Sequence, residues 1–545
     1  MKYLATRNAR LNKVLGSFAV LLLISILTLS ANAQNATDGS TPLGLSPGSP
    51  AGSYSLSDFE SVNLYNGGMN FSLPLLQIGG RGGAGYPITL HNQQKWTVTR
   101  YFEPGTPAFY FPQPGWWSEE GGGWQTLDAG RLHIRLAGSK NFIQACGDYL
   151  NTNALSRVTF SAPDGTEYEL RDQLTNGQPK APVPCTSGFN RGKIFVTADG
   201  SSATFVSDND IIDPYWYGEQ DVQPPAYGYL MLRDGTRFRI EDDKVTWMRD
   251  RNGNKVEFTH DIYKRVTSIK DSLNRVVTVA YGTDPGSYDQ ITYKGVNGES
   301  RTIKIGKAGL DSVLRSGYSP QTSSQLFPEL NPTGNWSNPT VISYVELPDT
   351  RKYQLQYNSY GELARVVLPT GGAIEYDYAA GLTDGYASGV FVGVNNKYIY
   401  RRVIERRVYP DGGTGAGYAN RTTYSRPETK TSNTGIVTAE QYNSSGALLG
   451  RSQHYFYGSP RVSFDQLPTD YPGWQDGREY QTDVFDTNGT TLLRRVNNTF
   501  AQRAGVSWWT GASDATPPND PRLVETVMAI EPSGANRVSK QTFGY

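Results

Sequence analysis

A turn that returns every 21 residues is the feature that most limits what this chain can fold into. Asp250-Arg251-Asn252-Gly253-Asn254-Lys255-Val256 comes back 21 residues later as Asp271-Ser272-Leu273-Asn274-Arg275-Val276-Val277, with Phe258 matching Val279 and His260 matching Tyr281. The same step leads from Leu347-Pro348-Asp349 to Leu368-Pro369-Thr370, where Tyr353, Leu355 and Tyr357 align with Ile374, Tyr376 and Tyr378. Between them, Tyr357-Asn358-Ser359-Tyr360-Gly361-Glu362-Leu363 reads as a strand end, a turn and a strand start. A unit of about 20 residues with two short strands cannot bury its apolar face alone, so it must add to its neighbours in a long sheet.

Punctuation elsewhere agrees. Asp164-Gly165, Asp199-Gly200, Asp234-Gly235, Asn252-Gly253, Asn297-Gly298, Asp476-Gly477 and Asn488-Gly489 each read as a hairpin tip, because these dipeptides tolerate the positive φ of tight turns. Asp164, Asp199 and Asp234 stand 35 residues apart, with Tyr168/Leu170 and Phe238/Ile240 at equivalent one-face positions. Tyrosine (35) and glycine (59) are abundant, Met (5) and His (4) are scarce, and no long stretch keeps the 3.6-residue period of a helix. The expected fold is all-β, built of repetitive antiparallel hairpins with minor helix.

Units such as Tyr357 to Leu363, Asn274-Arg275-Val276 and Leu368-Pro369-Thr370-Gly371-Gly372 resemble divergent YD repeats of the Rhs family. Gly68-Met69-Asn70-Phe71-Ser72-Leu73-Pro74-Leu75, Gly79-Gly80-Arg81-Gly82-Gly83 and Tyr86-Pro87-Ile88-Thr89-Leu90 resemble the region that leads into the repeats of such proteins. The resemblance covers that region and roughly residues 225 to 380. It implies a long curled sheet forming part of a hollow β-shell, often around a toxic C-terminal domain. Gln541-Thr542-Phe543-Gly544-Tyr545 reads as the start of a further repeat, and the Asp-Pro-rich motif that closes such shells is not seen. The shell is therefore expected to be partial.

Lys2, Arg7, Arg10 and Lys13 precede an apolar run from Val14 to Ser30 and the small residues Ala31-Asn32-Ala33. This is the pattern of a secretory signal peptide cleaved after Ala33, and a membrane anchor is the alternative for so long a run. The expected address is bacterial, secreted or associated with the cell envelope, with no membrane span after cleavage. The division of the chain is a signal peptide 1–33, a Pro/Gly/Ser-rich amino terminus 34–56, a β region 57–224, the repeat sheet 225–380 and a further repeat-like region 381–545. Lys plus Arg (51) balance Asp plus Glu (51), and loss of the four leader cations leaves about −4. That balance argues against a nucleic-acid partner. Cys146 and Cys185 are the two cysteines; in an oxidising compartment they are a candidate disulfide closing a loop of about 39 residues, for roughly 3 to 4 kcal/mol, with two separate buried thiols as the alternative.

Motifs that could carry chemistry each meet a physical objection. Gly44-Leu45-Ser46-Pro47-Gly48 fits Gly-x-Ser-x-Gly, but Pro47 lacks the N–H that the oxyanion hole requires. Gly80-Arg81-Gly82-Gly83-Ala84-Gly85 is followed by a strand pattern, not the helix of a dinucleotide site. His91, His133, His260 and His454 are isolated in sequence, which suits packed histidines more than ligands or bases. Asp208-Asn209-Asp210 with Asp213, and Asp250-Arg251-Asn252-Gly253-Asn254, offer oxygens to a hard cation, but turn chemistry explains the same residues. Glu119-Glu120 lies among Trp116, Trp117 and Trp124; adjacent carboxylates on a strand face opposite ways, so a sugar-binding platform of those tryptophans is more plausible than a glycosidase. Trp508-Trp509 invites the same reading. No catalytic, cofactor or metal residue is expected. The leading function is a non-catalytic exported scaffold, with an encapsulated polypeptide or a cell-surface or glycan target as partner. An adhesin using the tryptophan-rich segments is the second reading, and an unrecognised hydrolase the third.

Overall fold

The structure, a computed structural model, describes residues 53–544 except 58, 80–84, 93–95, 102–108, 115–123, 126, 128, 138–141, 146–147, 152–154, 163–166, 176, 178–179, 181–187, 198–200, 214–224, 284, 331–337, 381–388, 393–396, 416, 427–433, 459–472 and 503–520. The leader, Gly44 to Gly48, Glu119-Glu120, Cys146, Cys185, Trp116, Trp117 and Trp508-Trp509 lie outside the described residues, as does the side chain of Trp124.

Loop chemistry explains the period. In the loops that open at Asp250, Asp261, Asp271, Asn358 and Asn443, one side-chain oxygen accepts the amides two and four residues on. The residue three on donates its amide to the carbonyl of the first and sits at positive φ: Gly253, Lys264, Asn274, Gly361 and Gly446. This is a type I turn followed by one left-handed residue. The Asn-Gly pair at 252–253 and the pairs at 234–235, 297–298 and 488–489 thus end longer loops with one positive-φ residue each, where a two-residue tip would need two. Asp476-Gly477 is no hairpin tip: it joins the 3₁₀ turn Gly473–Gln475 to the strand Glu479–Phe485, and the Gly477 amide donates to Tyr457. Asp164-Gly165 and Asp199-Gly200 fall among the undescribed residues. Loops start at 250, 261 and 271, and again at 347, 358 and 368, so one up-and-down pair of strands consumes 21 residues.

The recurrent tyrosine has its own role. The hydroxyls of Tyr281, Tyr357 and Tyr378 donate to the carbonyls of Val266, Ile342 and Leu363 at 2.7, 2.5 and 2.9 Å, each 15 residues upstream. Every such bond ties a strand to the start of its neighbour.

Strands pair antiparallel in chain order from Leu155–Ser161 to Ala373–Ala380, and the order resumes from Arg401–Tyr409 to Arg537–Thr542. Arg131–Ala137 pairs with Leu155–Ser161 on one side and, through Arg131 opposite Lys244, with Lys244–Arg249 on the other, closing an eight-stranded ring. The amides of Leu132 and Val245 donate to Asp243 and Gly130 on either side of that bridge. The ring interior is packed with side chains such as Phe160, Phe195, Phe205 and Phe238, as an eight-stranded barrel allows. Past the seam the ladder runs on as a continuing sheet. One four-residue α-helix, Ser323–Leu326, occurs among the described residues, held by a capping box from Thr322.

The expected long antiparallel sheet, curled and with little helix, is therefore what the chain forms. A second layer lies against it: the five-stranded sheet of Ser53–Ser57, Glu60–Asn63, Met69–Ile78, Tyr86–Asn92 and Trp124–Gln125. Phe71, Leu73, Ile88 and Leu90 from this layer share one core with Val256, Phe258, Ile269 and Ile291 of the long sheet.

Candidate functional site

The amino-terminal sheet packs against the core-facing side of the curled wall. Near its start, Tyr86 meets Phe258 edge to face at 5.0 Å. Further along, a separate two-stranded sheet, Trp96–Tyr101 with Phe109–Pro114, adds a contact of its own: the indole of Trp96 donates to the Tyr360 carbonyl at 3.0 Å and packs on Phe327, with ring centroids 4.8 Å apart. At the far end, Val62, Leu64 and Tyr65 form a cluster with Val403, Tyr424, Val437 and Phe456. One layer thus touches wall strands nearly 200 residues apart in sequence, which holds them at a common curvature.

Polar staples fix its position. Arg406 donates Nε to Glu60 Oε1 at 3.0 Å and pairs with the same oxygen through Nη2, and both side chains are almost wholly buried. Arg426 donates to the Tyr65 carbonyl and, at 2.9 Å, to the Tyr400 hydroxyl. The Val403 amide donates to Gly67, whose φ is 71°; a Cβ at Gly67 would overlap that of Arg402. A pair buried this deeply is weak evidence for stability, but loss of one partner is expensive.

A second staple closes the ring's end. Arg191, fully buried, donates Nε to Asp213 at 2.8 Å and Nη1 to Thr175 at 2.9 Å and Asp172 at 3.3 Å. Burial raises the Asp213 carboxyl above its usual value in spite of Arg191, as expected when desolvation outweighs a single partner. Asp208, the other end of the stretch weighed as a cation loop, is held below its usual value by hydrogen bonds from Arg239. Asp250 is lowered by hydrogen bonds from Asn254 and the loop amides. These oxygens serve the protein's own cations and turns.

Of the histidines, His91 Nδ1 lies 2.9 Å from Ser72 Oγ, and His454 belongs to a longer polar chain. Its Nδ1 lies 2.7 Å from Glu479 Oε1 and its Nε2 2.9 Å from Ser452 Oγ, while Thr482 also donates to Glu479. The order of contacts is that of a Ser-His-acid relay. Ser452 and His454 sit on a central strand, opposite Ala439 and Val437 on one side and Val484 and Thr482 on the other, so the ladder occupies the backbone amides that an oxyanion hole would need. Glu479 is 25 residues from His454, and only the two-residue spacing of Ser452 and His454 on one face was visible in the sequence.

In the last three strands burial falls away: Leu492–Ala501 and Arg522–Ile530 are mostly half-buried, and Arg537–Thr542 is exposed throughout. No helix among the described residues is long and apolar enough to cross a membrane.

No protein-family model matches the chain, and no curated protein matches it. Distant similarity is found to solved structures, among them the following three. The N-terminal domain of effector protein SpvB from Salmonella typhimurium strain LT2 has 13% identity over 87% of this chain and 99% of its own, with a TM-score of 0.14. TcdB2-TccC3 has 10% identity over 81% of this chain, with a TM-score of 0.14, and TcdB2-TccC3-Cdc42 has 11% identity over 85%, with a TM-score of 0.12. The chain spans about a quarter of each of these last two, 25% and 23%.

Proposed function

We propose that this chain is a non-catalytic, exported β-scaffold of the Rhs/YD-repeat kind, a wall segment that encloses polypeptide. The observation that carries this reading is the core-facing side of a chain-ordered ladder, rolled on itself and packed around an amino-terminal sheet through the Glu60–Arg406 pair and the Gly67 contact. The turn period and the tyrosine ties support a wall extended by repetition. Export rests on the basic-apolar-small pattern of the first 33 residues.

The test joins localisation to activity. Fractionation of the source cells should find the chain outside the cytoplasm, shortened by its leader. The purified chain should protect the strands Glu60–Asn63, Met69–Ile78 and Tyr86–Asn92 from protease and turn over no substrate in ester, peptide and glycan panels. Turnover abolished by Ser452→Ala would instead make it a hydrolase and end the scaffold reading.

A further inference from the structure

One stretch of the outer face, where the ring passes into the continuing sheet, is arranged against its own stability. Arg237 lies directly opposite Arg249, and Arg249 directly opposite Lys255, so three cations on adjacent strands form one row. Like charges set opposite each other destabilise a sheet. The neighbouring row, Tyr229, Arg239, Trp247 and Glu257, shows what compensation looks like: Arg239 reaches Asp208 at 2.7 Å and Glu241 at 3.0 Å. In the cationic row Lys255 alone has a carboxylate, Glu257 at 2.7 Å, in a partly exposed pair. Among the described residues neither Arg237 nor Arg249 has one.

A bulge creates this row. The register slips by one residue between Arg239 and Ile240, where Thr246 is the extra residue. A one-residue slip exchanges faces. Without it Trp247 and Arg249 would point into the core beside Val245; with it Met248 packs against the core and Trp247 and Arg249 turn outward.

Aromatic surface lies beside the cations. Tyr229 is 43% exposed, and its ring stands 6.0 Å from that of Trp247. Lys255 Nζ and Arg249 Cζ lie 5.0 and 5.7 Å from the centre of the indole. Ile194, two strands beyond Tyr229 on the same face, is 42% exposed.

We propose that this outer face binds an acidic polysaccharide whose charges are sugar carboxylates, laid across the strands Arg237–Glu241, Lys244–Arg249 and Lys255–His260. The row advances by one strand spacing per cation, about 4.8 Å, comparable to the length of one pyranose unit. Sugar carboxylates would take the guanidinium forks, and the apolar face of a ring would lie on Trp247. The ligand's charges would relieve the repulsion that the bulge imposes. Because the whole chain carries no net charge, and about −4 without the four leader cations, attraction of a polyanion depends on this local row. The proposal stands independently of the scaffold reading, since it concerns the opposite face of the sheet.

Affinity electrophoresis of the full chain through polygalacturonate, dextran and single-stranded DNA tests it. The expected result is retardation by polygalacturonate alone. Arg249→Glu should weaken it about tenfold or more while thermal stability holds or rises, because a carboxylate would then face Arg237 and Lys255. Trp247→Leu should weaken binding with charge unchanged, and Lys540→Glu, on a distant strand, should leave it intact. Absence of retardation, equal retardation by dextran, stronger retardation by DNA, or indifference to Arg249→Glu in a folded protein would each overturn the proposal.

Discussion

Glu60→Gln removes a charge and almost nothing else from the contact between the amino-terminal sheet and the wall. The amide oxygen can still accept from Arg406, but the guanidinium, 8% exposed, then has no counter-charge from Glu60, whose own side chain is wholly buried. Breaking a buried pair by neutralising one partner costs about 3 to 5 kcal/mol, a large share of the roughly 5 to 15 kcal/mol that holds a typical domain. Urea unfolding should show that loss with an unchanged slope, and hydrogen exchange should accelerate first in Glu60–Asn63 and Arg401–Tyr409. The double substitution Glu60→Leu with Arg406→Met should recover the loss or exceed wild type by about 1 to 4 kcal/mol, since desolvation of both charges is then relieved. If Glu60→Gln costs less than about 0.5 kcal/mol, within the range of an ordinary surface substitution, and exchange is unchanged, the two layers are not joined as described.

Three further outcomes follow from the repeat hardware. Tyr357→Phe leaves the Ile342 carbonyl without its buried donor and should cost about 1 to 2 kcal/mol in denaturant unfolding, whereas Tyr263→Phe, at an exposed ring, should cost nothing measurable. Thr350, a β-branched residue at φ 72°, is strained where other loops place Gly, so Thr350→Gly should stabilise by about 1 kcal/mol or less in the same assay. At Asp271 burial opposes ionisation, but hydrogen bonds from Arg275 and the loop amides outweigh it and hold the carboxyl below its usual value; its contribution is present above the unfolded value and lost as pH falls through the folded one, so the stability difference between wild type and Asp271→Asn should close on acidification below about pH 4.

Local chemistry made the ladder legible. An Asx at the loop start, Gly or Asn three residues on, and tyrosine at a fixed distance are decided within about 20 residues, and each left a mark in the sequence. The loop type was misread because Asn252-Gly253 looks the same whether one or both residues take positive φ, and the Asp250 side chain decides between them. The seam at Arg131 and Lys244 left no mark, because a single bridge joins strands 113 residues apart. The amino-terminal layer was legible as strands but not as a lining, since Glu60 and Arg406 are separated by 346 residues. The cationic row was hidden by the bulge: alternation read through Thr246 places Trp247 in the core.

The curl itself can be measured with one engineered pair. Arg131 and Lys244 face each other between flanking backbone hydrogen bonds, a geometry in which Cα atoms lie about 4.5 Å apart, within the reach of a disulfide. Were the eight strands flat, seven spacings of about 4.8 Å would hold them roughly 34 Å apart. With Arg131→Cys and Lys244→Cys combined, mild oxidation followed by peptide mapping should recover the linked peptides in high yield, while Arg131→Cys with Lys270→Cys should give none. Failure of the first pair to link while both thiols remain open to alkylation, or equal linking of the second, would contradict a sheet that closes on itself.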